Sequence, residues 1–233
     1  NIFRIALLVT IVIQAFRMAA EPFFFNQSNN ENAQRIYARV MKFFVIACCF
    51  IFLFIGLFLD VFHWIFATFA NPRWTEGLQV VPLLALGNIF LGIYYNLSVW
   101  YKLTNKNLYG AYITIIGAVI TIVLNVLLIP VLHYLGAAIA TFTCYFTMMV
   151  LSYKLGQKHY PVPYAVKKLS AYLIISILLY VIHIALVRFI SASYLFSFAS
   201  GLVLISAFAW FISKTERKEL SRMPVIGKFF SPI

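Results

Sequence analysis

The chain has 233 residues, of which 64% are hydrophobic and only 10% are charged. Soluble globular domains carry about 25% charged residues, so a chain this apolar cannot form the water-facing surface of a soluble domain or a soluble enzyme. The net charge of +12 is also typical of nucleic-acid-binding proteins. Here, however, the basic residues lie in short segments between long apolar runs, as in membrane proteins, and we expect no nucleic-acid partner.

Apolar stretches recur along the whole chain, and each is long enough, or nearly so, to cross a bilayer core, which takes about 20 residues. Their apolar runs are continuous and do not alternate with a period of two, so the sequence predicts helices and not barrel strands. We therefore predict an all-α, polytopic transmembrane bundle of about seven helices. The predicted spans are residues 2–25, 43–62, 80–101, 109–132, 135–153, 169–189 and 194–213.

The segments between these spans suggest how the chain is divided. The polar segment 26–35 is predicted to be a loop, and Leu132–Tyr134 a short turn that lets the fourth and fifth helices pack together. Pro161 and Pro163 favour extended backbone after the fifth span. We expect a five-helix bundle over residues 1–160, two further helices over 161–213, and a basic cytoplasmic tail over 214–233.

Lysine and arginine are distributed unevenly between the connections. Connections rich and poor in these residues alternate along the chain, and the poor ones hold only Arg73 and Arg188. By the positive-inside rule the rich side is cytoplasmic, which places the C-terminus there. The rich connections and the tail hold Arg35, Arg39, Lys42, Lys102, Lys106, Lys154, Lys158, Lys167, Lys168, Lys214, Arg217, Lys218, Arg222 and Lys228.

The predicted orientation starts the chain outside the membrane, at Asn1 and not at a methionine. If the parent protein begins in the cytoplasm, an odd number of helices precedes this residue. We therefore expect the sequence to be the C-terminal part of a longer protein whose N-terminal half is missing.

A few polar residues within the spans are candidates for a substrate cavity. Gln14, Arg17 and Glu21 share one helical face at spacings of three and four residues. Charges inside a membrane helix usually face an interior or a watery cavity, where Arg17 could attract a phosphate. The alternative is an interfacial ion pair of Arg17 with Glu21, in which Arg17 reaches the lipid headgroups.

Three asparagines complete the candidate list, because an amide in an apolar environment needs a partner. Asn88 and Asn96 lie in the third span. Asn125 ends a stripe of small and polar residues in the fourth span, for which close helix packing is the alternative explanation. A similar stripe in the fifth span begins at Gly136 and includes Ala140.

The sequence predicts no catalytic residue, no metal site and no cofactor. Cys48, Cys49 and Cys144 lie in apolar runs, and no Cys/His spacing of a metal site occurs. The histidines are dispersed. His183 lies inside the sixth span and is a candidate for a proton relay, but that span contains no carboxylate partner for it.

Several segments together resemble one family. The most specific is FRMAAEPFFF, residues 16–25, with its Arg-x-x-x-Glu-Pro pattern. With the other segments it resembles bacterial polysaccharide-biosynthesis membrane proteins, the oligosaccharide or O-antigen flippases of the multidrug/oligosaccharidyl-lipid/polysaccharide exporter superfamily. The other segments are YARVMKFF (37–44), EGLQVVP (76–82), LGIYYNLSVWYK (91–102), GAY (110–112), NVLLIP (125–130) and LGAAIAT (135–141).

The resemblance implies a transporter with 12 or 14 helices in two lobes, of which this chain would be the C-terminal lobe. Such a protein would flip a lipid-linked oligosaccharide, a precursor of O-antigen or a related polysaccharide, across the bacterial inner membrane. Its implied partners are the lipid bilayer, the lipid-linked oligosaccharide and a possible coupling cation, H⁺ or Na⁺.

Other functions are compatible with the same pattern. A cation-coupled multidrug antiporter or a lipid II flippase belongs to the same superfamily, but an antiporter should hold a membrane-buried carboxylate. Asp60 and Glu76 are predicted at helix ends, Glu21 near the surface, and Glu31, Glu216 and Glu219 in loops. A membrane glycan polymerase or ligase would need a large outer loop with clustered Arg and His. A membrane scaffold without transport activity is a further alternative.

Overall fold

A computed structural model describes residues 3–62, 64, 78–190 and 193–221, and within these ranges the chain is helical without a strand. His63, Arg73, Glu76, Arg222 and Lys228 lie outside the described residues. The helices are α1 (Phe3–Gln27), α2 (Ala33–Leu57), α3 (Val81–Leu97), α4 (Val99–Leu103), α5 (Asn107–His159), α6 (Val166–Phe189), α7 (Tyr194–Thr215) and α8 (Arg217–Leu220), with a 3₁₀ turn at Leu78–Val80.

The predicted all-α bundle is confirmed. In the described ranges, five helical stretches are long and apolar enough to cross a membrane, and one of them is the 53-residue α5. At about 1.5 Å per residue, a straight helix of this length would be far longer than a bilayer core is thick. The backbone of α5 breaks at His133, where φ is 48° and ψ is −120°. With α1 and the two arms of α5, residues 107–132 and 134–159, the described residues form seven long helices, in agreement with the prediction.

The two arms of α5 form a helical hairpin, as the stripes of small residues predicted. A Cβ atom added to Gly117 would lie 2.7 Å from Met148 Sδ, and one on Gly136 would lie 2.6 Å from the backbone of Leu128. Small residues permit such close approach of helix backbones. Threonine hydroxyls in the stripes donate to backbone carbonyls of their own helix, as Thr121 does to Gly117 O at 2.9 Å.

Helices α2 and α3 form the centre of the bundle. The C-terminal arm of α5 packs on α3, and α6 and α7 pack on α2. Edge-to-face ring contacts hold the last two helices in place, with Phe50 against Phe208 and Phe52 against Tyr180. Large apolar side chains such as Val126 (69%) and Leu195 (78%) are exposed, as expected for a multi-pass membrane protein.

The connections rich in lysine and arginine meet at one end of the bundle, which we call the basic end. There the rings of Tyr37 and Tyr160 lie 6.4 Å apart, and Trp100 stacks on His159. The turn at His133 and the start of α7 lie at the opposite end. The assignment of the basic end to the cytoplasm stays a prediction from the Lys/Arg distribution.

One predicted boundary is wrong. Helix α2 begins at Ala33 and not near residue 43, and the predicted loop 26–35 is reduced to residues 28–32. The additional turns are amphipathic and pack against the end of α1. Tyr37 is buried and donates a hydrogen bond to Phe24 O at 2.8 Å, so the start of α2 is fixed by tertiary contacts.

We expect Gly136→Ala to destabilise the chain by about 1–3 kcal/mol, the usual cost of overpacking, because the added methyl meets backbone atoms that cannot rotate away. Gly201→Ala is the matched control, since its Cβ would lie at an ordinary 3.4 Å from Leu57. Unfolding of both variants in detergent micelles, followed by tryptophan fluorescence, measures the difference. Equal stability of the two variants would contradict the close hairpin.

Candidate functional site

Three charged side chains meet where α1 contacts α3 and α4 at the basic end. The carboxylate of Glu21 lies 2.6 Å from Lys102 Nζ and 3.6 Å from Arg17 Nε. The Arg17 guanidinium also lies over the ring of Tyr95, 4.7 Å from its centroid. Two cations therefore share one carboxylate, and all three side chains are between 27% and 39% exposed. This group, Arg17–Glu21–Lys102, is called the α1 charge cluster below.

A small cavity of about 10 Å³ adjoins the α1 charge cluster and is lined by Arg17, Glu21, Tyr95 and Asn96 among others. This volume is close to the minimum for one water molecule. Asn96 is buried and donates through Nδ2 to Gly92 O at 3.2 Å. Its Oδ1 atom is buried without a hydrogen-bond partner among the described residues. The cavity is therefore polar on one side but too small for a sugar.

The structure brings together Arg17, Glu21 and Asn96 from the predicted set, and it separates the other three. Gln14 is half-buried on α1 but does not line the cavity. Asn88 is buried in α3, two helical turns from Asn96. Asn125 lies on the N-terminal arm of α5, where its Oδ1 atom is buried and unpaired among the described residues.

The predicted pairing of Arg17 with Glu21 is present, and sequence reasoning missed its third member. Lys102 is 81 positions from Glu21 and was assigned only to a basic connection. In the structure it lies in the last turn of α4 and bonds Glu21 more closely than Arg17 does.

A second ion cluster at the basic end was not predicted. Lys42, in α2, is 6% exposed, and its Nζ atom lies 2.7 Å from Glu216 Oε2 and 2.6 Å from Glu219 Oε1. Glu216 also accepts hydrogen bonds from Lys168 Nζ at 3.2 Å and from the hydroxyl of Tyr172. These contacts join α2 to α6, α7 and α8. The five residues Lys42, Lys168, Tyr172, Glu216 and Glu219 are called the ion clasp below.

The ion clasp corrects two assignments made from the sequence. Lys42 was placed in a connection, yet it lies inside α2. Glu219 was placed in a loop, yet it belongs to α8. Glu216 lies in the bend between α7 and α8, as predicted, but it is only 2% exposed there. Glu216 and Glu219 are three residues apart, and so are Arg39 and Lys42. This matching spacing of acidic and basic residues is a sequence signal that could have indicated the ion pairs between the two segments.

The charge state of Glu216 follows from two opposing effects. Burial of the carboxylate favours its neutral form and acts to raise its pKa. Hydrogen bonds from Lys42, Tyr172 and Lys168 favour the charged form and bring the pKa below its ordinary value. Glu216 is therefore ionised at neutral pH. The charge of Lys42 is already compensated by two carboxylates, so the ion clasp is a structural feature.

A third polar group lies at the opposite end, where Ser197 Oγ donates to Asp60 Oδ2 at 2.6 Å and contacts His183 Nε2 at 3.4 Å. The sixth span itself supplies no carboxylate for His183, but Ser197 links this histidine to Asp60, which lies just beyond the end of α2. No group of three or more His, Cys, Asp or Glu residues that could hold a metal ion occurs among the residues described. The three cysteines are buried and free.

Comparisons with known protein families, with curated proteins and with solved structures found no match to this chain. The family resemblance therefore rests on the quoted segments alone.

We expect Lys42→Met to destabilise the chain by about 3–5 kcal/mol, because it leaves the buried carboxylate of Glu216 with weaker compensation. Arg39→Met is the matched control, since Arg39 contacts the same Glu219 at 3.8 Å but is 60% exposed. Such an exposed pair contributes about 1 kcal/mol or less. Unfolding in detergent measures the loss of stability in both variants. Similar losses would contradict the larger contribution expected of the buried Lys42–Glu216 contact.

Stability should also depend on pH through Glu216. Because its pKa is lowered in the folded chain, its contribution is present above the unfolded value of about 4.3 and is lost as the pH falls through the folded value. We expect the contribution of Glu216 to the free energy of unfolding to be steady from neutral pH to about 5 and to fall below about 4.3. Glu216→Gln should flatten this fall, whereas Glu31→Gln, at an exposed position, should preserve it.

Proposed function

We propose that this chain is part of a membrane transporter that flips a lipid-linked oligosaccharide across the bacterial inner membrane by alternating access. The family resemblance supplies the substrate class. The observation that carries the proposal is the α1 charge cluster, in which two cations share one carboxylate on a partly exposed face. Two of its members, Arg17 and Glu21, lie within the FRMAAEPFFF segment on which the resemblance depends most, and Lys102 ends another of the quoted segments.

The physical problem of such a transporter is its cargo. A sugar–pyrophosphate head is polar and anionic, and a charged group at the bilayer centre costs at least about 2.5 kcal/mol. A hydrated path with cationic groups at its entrance lowers this cost. The α1 charge cluster carries a net charge of +1, since Arg17 and Lys102 face the single charge of Glu21.

Arg17 is the cation best placed to meet a phosphate. Its contact with Glu21, at 3.6 Å, is long, and its side chain is 39% exposed. A guanidinium presents a planar fork of donors that matches phosphate oxygens two at a time. A phosphate could therefore bind Arg17 while Lys102 keeps its short contact with Glu21.

The cavity beside the α1 charge cluster is too small to enclose the cargo. In the proposed transporter, the remaining walls come from the other lobe, and rocking of the two lobes alternates access. The basic end faces the cytoplasm in this proposal, so the α1 charge cluster lies where the lipid-linked sugar is made available.

An ion-coupled relative, an antiporter or a lipid II flippase, is the second candidate. The half-buried Asp60 favours it, because its carboxylate lies between α2 and α7 with a hydroxyl donor at 2.6 Å. Ion coupling and glycan transport are compatible, so this observation adds to the proposal and does not replace it.

The proposal predicts that export of the glycan depends on Arg17 in the full-length protein. Arg17→Ala should lower export about tenfold or more, and Arg17→Lys should keep part of it, because the charge remains but the paired donors are lost. Arg35→Ala, at an exposed basic position beyond the cluster, is the control. Complementation of a deletion strain, corrected for the amount of protein in the membrane, measures export. Full export by both Arg17 variants would remove this residue from the mechanism.

A further inference from the structure

The polar group at the opposite end joins three helices. His183 of α6 is 3% exposed, and its two ring nitrogens contact two serines of α7: Nε2 lies 3.4 Å from Ser197 Oγ, and Nδ1 lies 3.2 Å from Ser200 Oγ. Ser197 donates its hydroxyl proton to Asp60 Oδ2 at 2.6 Å, just beyond the end of α2. Neither the proposed cargo site nor the ion clasp includes these four residues.

With a neutral imidazole, every hydrogen bond in this group can be made. The hydroxyl of Ser197 donates to Asp60, so its oxygen is free to accept from the Nε2–H of His183. The Nδ1 atom is then an acceptor, and the Ser200 hydroxyl can donate to it.

With a protonated imidazole, every hydrogen bond can be made as well. Ser200 Oγ lies 3.0 Å from the carbonyl oxygen of Ser197, which is a second acceptor for its hydroxyl proton. When the Ser200 hydroxyl turns to this carbonyl, its oxygen accepts from a newly protonated Nδ1. One hydroxyl rotation therefore admits a proton without leaving a buried polar atom unpaired, which would cost about 1–3 kcal/mol.

A nearby carboxylate offsets part of the charge of the bound proton. Asp60 is half-buried and faces the imidazole through the Ser197 hydroxyl, so an imidazolium would lie one hydroxyl away from a carboxylate. Tyr180, one turn earlier on α6, packs over Gly56 and carries no charge of its own. In the described parts of α6 and α7 the nearby Arg188 and Tyr194 are exposed.

We propose that His183 is a reversible proton-binding site, with Asp60 as the compensating charge, Ser197 as the bridge and Ser200 as the hydroxyl that switches acceptors. Proton binding at His183 does not depend on the proposed function. The further step, that this proton drives transport, rests on the proposed function and would identify H⁺ as the coupling cation. The site lies six residues from the end of α6, near the end of the bundle opposite the basic end.

The test is a pH titration of the chain in detergent micelles, with ¹³C-labelled histidine observed by NMR and His183 assigned with His183→Gln. The titration covers about pH 8 to 5, and we expect the His183 signal to shift in one step to its protonated form as the pH is lowered. Asp60→Asn should lower the ratio of protonated to neutral His183 at a given pH about tenfold, a change of one unit in the midpoint. Ser200→Ala should also lower the ratio of protonated to neutral His183.

Ser206→Ala, at an exposed position of α7, is the matched control and should leave the titration unchanged. The signals of His133 and His159 report whether each variant keeps its fold. A His183 signal that stays neutral throughout this range would overturn the proposal, as would an unchanged titration in Asp60→Asn. A His183 signal that responds to added NaCl and not to pH would show that the site binds Na⁺ and not a proton. None of these results depends on glycan export, so failure of the proton site and failure of the proposed function are distinguishable.

Discussion

Charge without compensation is costly inside an apolar bundle, and this constraint organises the polar residues of the chain. Only 10% of the residues are charged, and the three polar groups of the structure lie near the helix ends. Between them, the interior is filled by apolar and aromatic side chains such as Phe52, Leu53 and Ile89. Helix ends are the places where a charge can find both a partner and water, and the charged clusters of the described residues lie there.

The two ion groups at the basic end differ in stoichiometry, and the difference separates structure from binding. In the ion clasp, the single buried ammonium of Lys42 has two carboxylates within 2.7 Å, so its positive charge is already compensated. In the α1 charge cluster, the single carboxylate of Glu21 is shared by two cations. The first arrangement satisfies its charges internally, whereas the second leaves positive charge on a partly exposed face.

The sequence was sufficient for features that depend on local pattern. Hydropathy over about 20 residues located the helices, and small residues at spacings of three and four predicted the α5 hairpin, because both signals are contained within one element. The pairing of Arg17 with Glu21 is also local. The sequence could not predict the partner of Lys42, since Glu216 lies 174 positions away and any acidic residue could have filled that role.

The asparagines illustrate the same limit. A buried amide requires a partner, but the sequence does not say whether that partner is a ligand or the backbone. Asn96 donates a hydrogen bond from its amide nitrogen to the carbonyl of Gly92 in its own helix. Asn125 lies on a different helix. The same rule therefore selected residues that do not form one site. The start of α2 was missed for a related reason, because tertiary contacts of Tyr37 with Phe24 outweigh the polar character of its first turns.

Helices α2, α6 and α7 are joined by polar contacts at both ends, and the two junctions respond differently to protons. The ion clasp needs Glu216 ionised, and its lowered pKa keeps it so at neutral and mildly acidic pH. The group around His183 instead has a complete set of hydrogen bonds with or without an added proton, because Ser200 has two acceptors within reach. If His183 binds a proton as proposed, a change of pH near neutrality acts on these three helices at the opposite end, while the ion clasp holds them together at the basic end. Such an asymmetry lets one end of a helix group bind and release a proton without loosening the other.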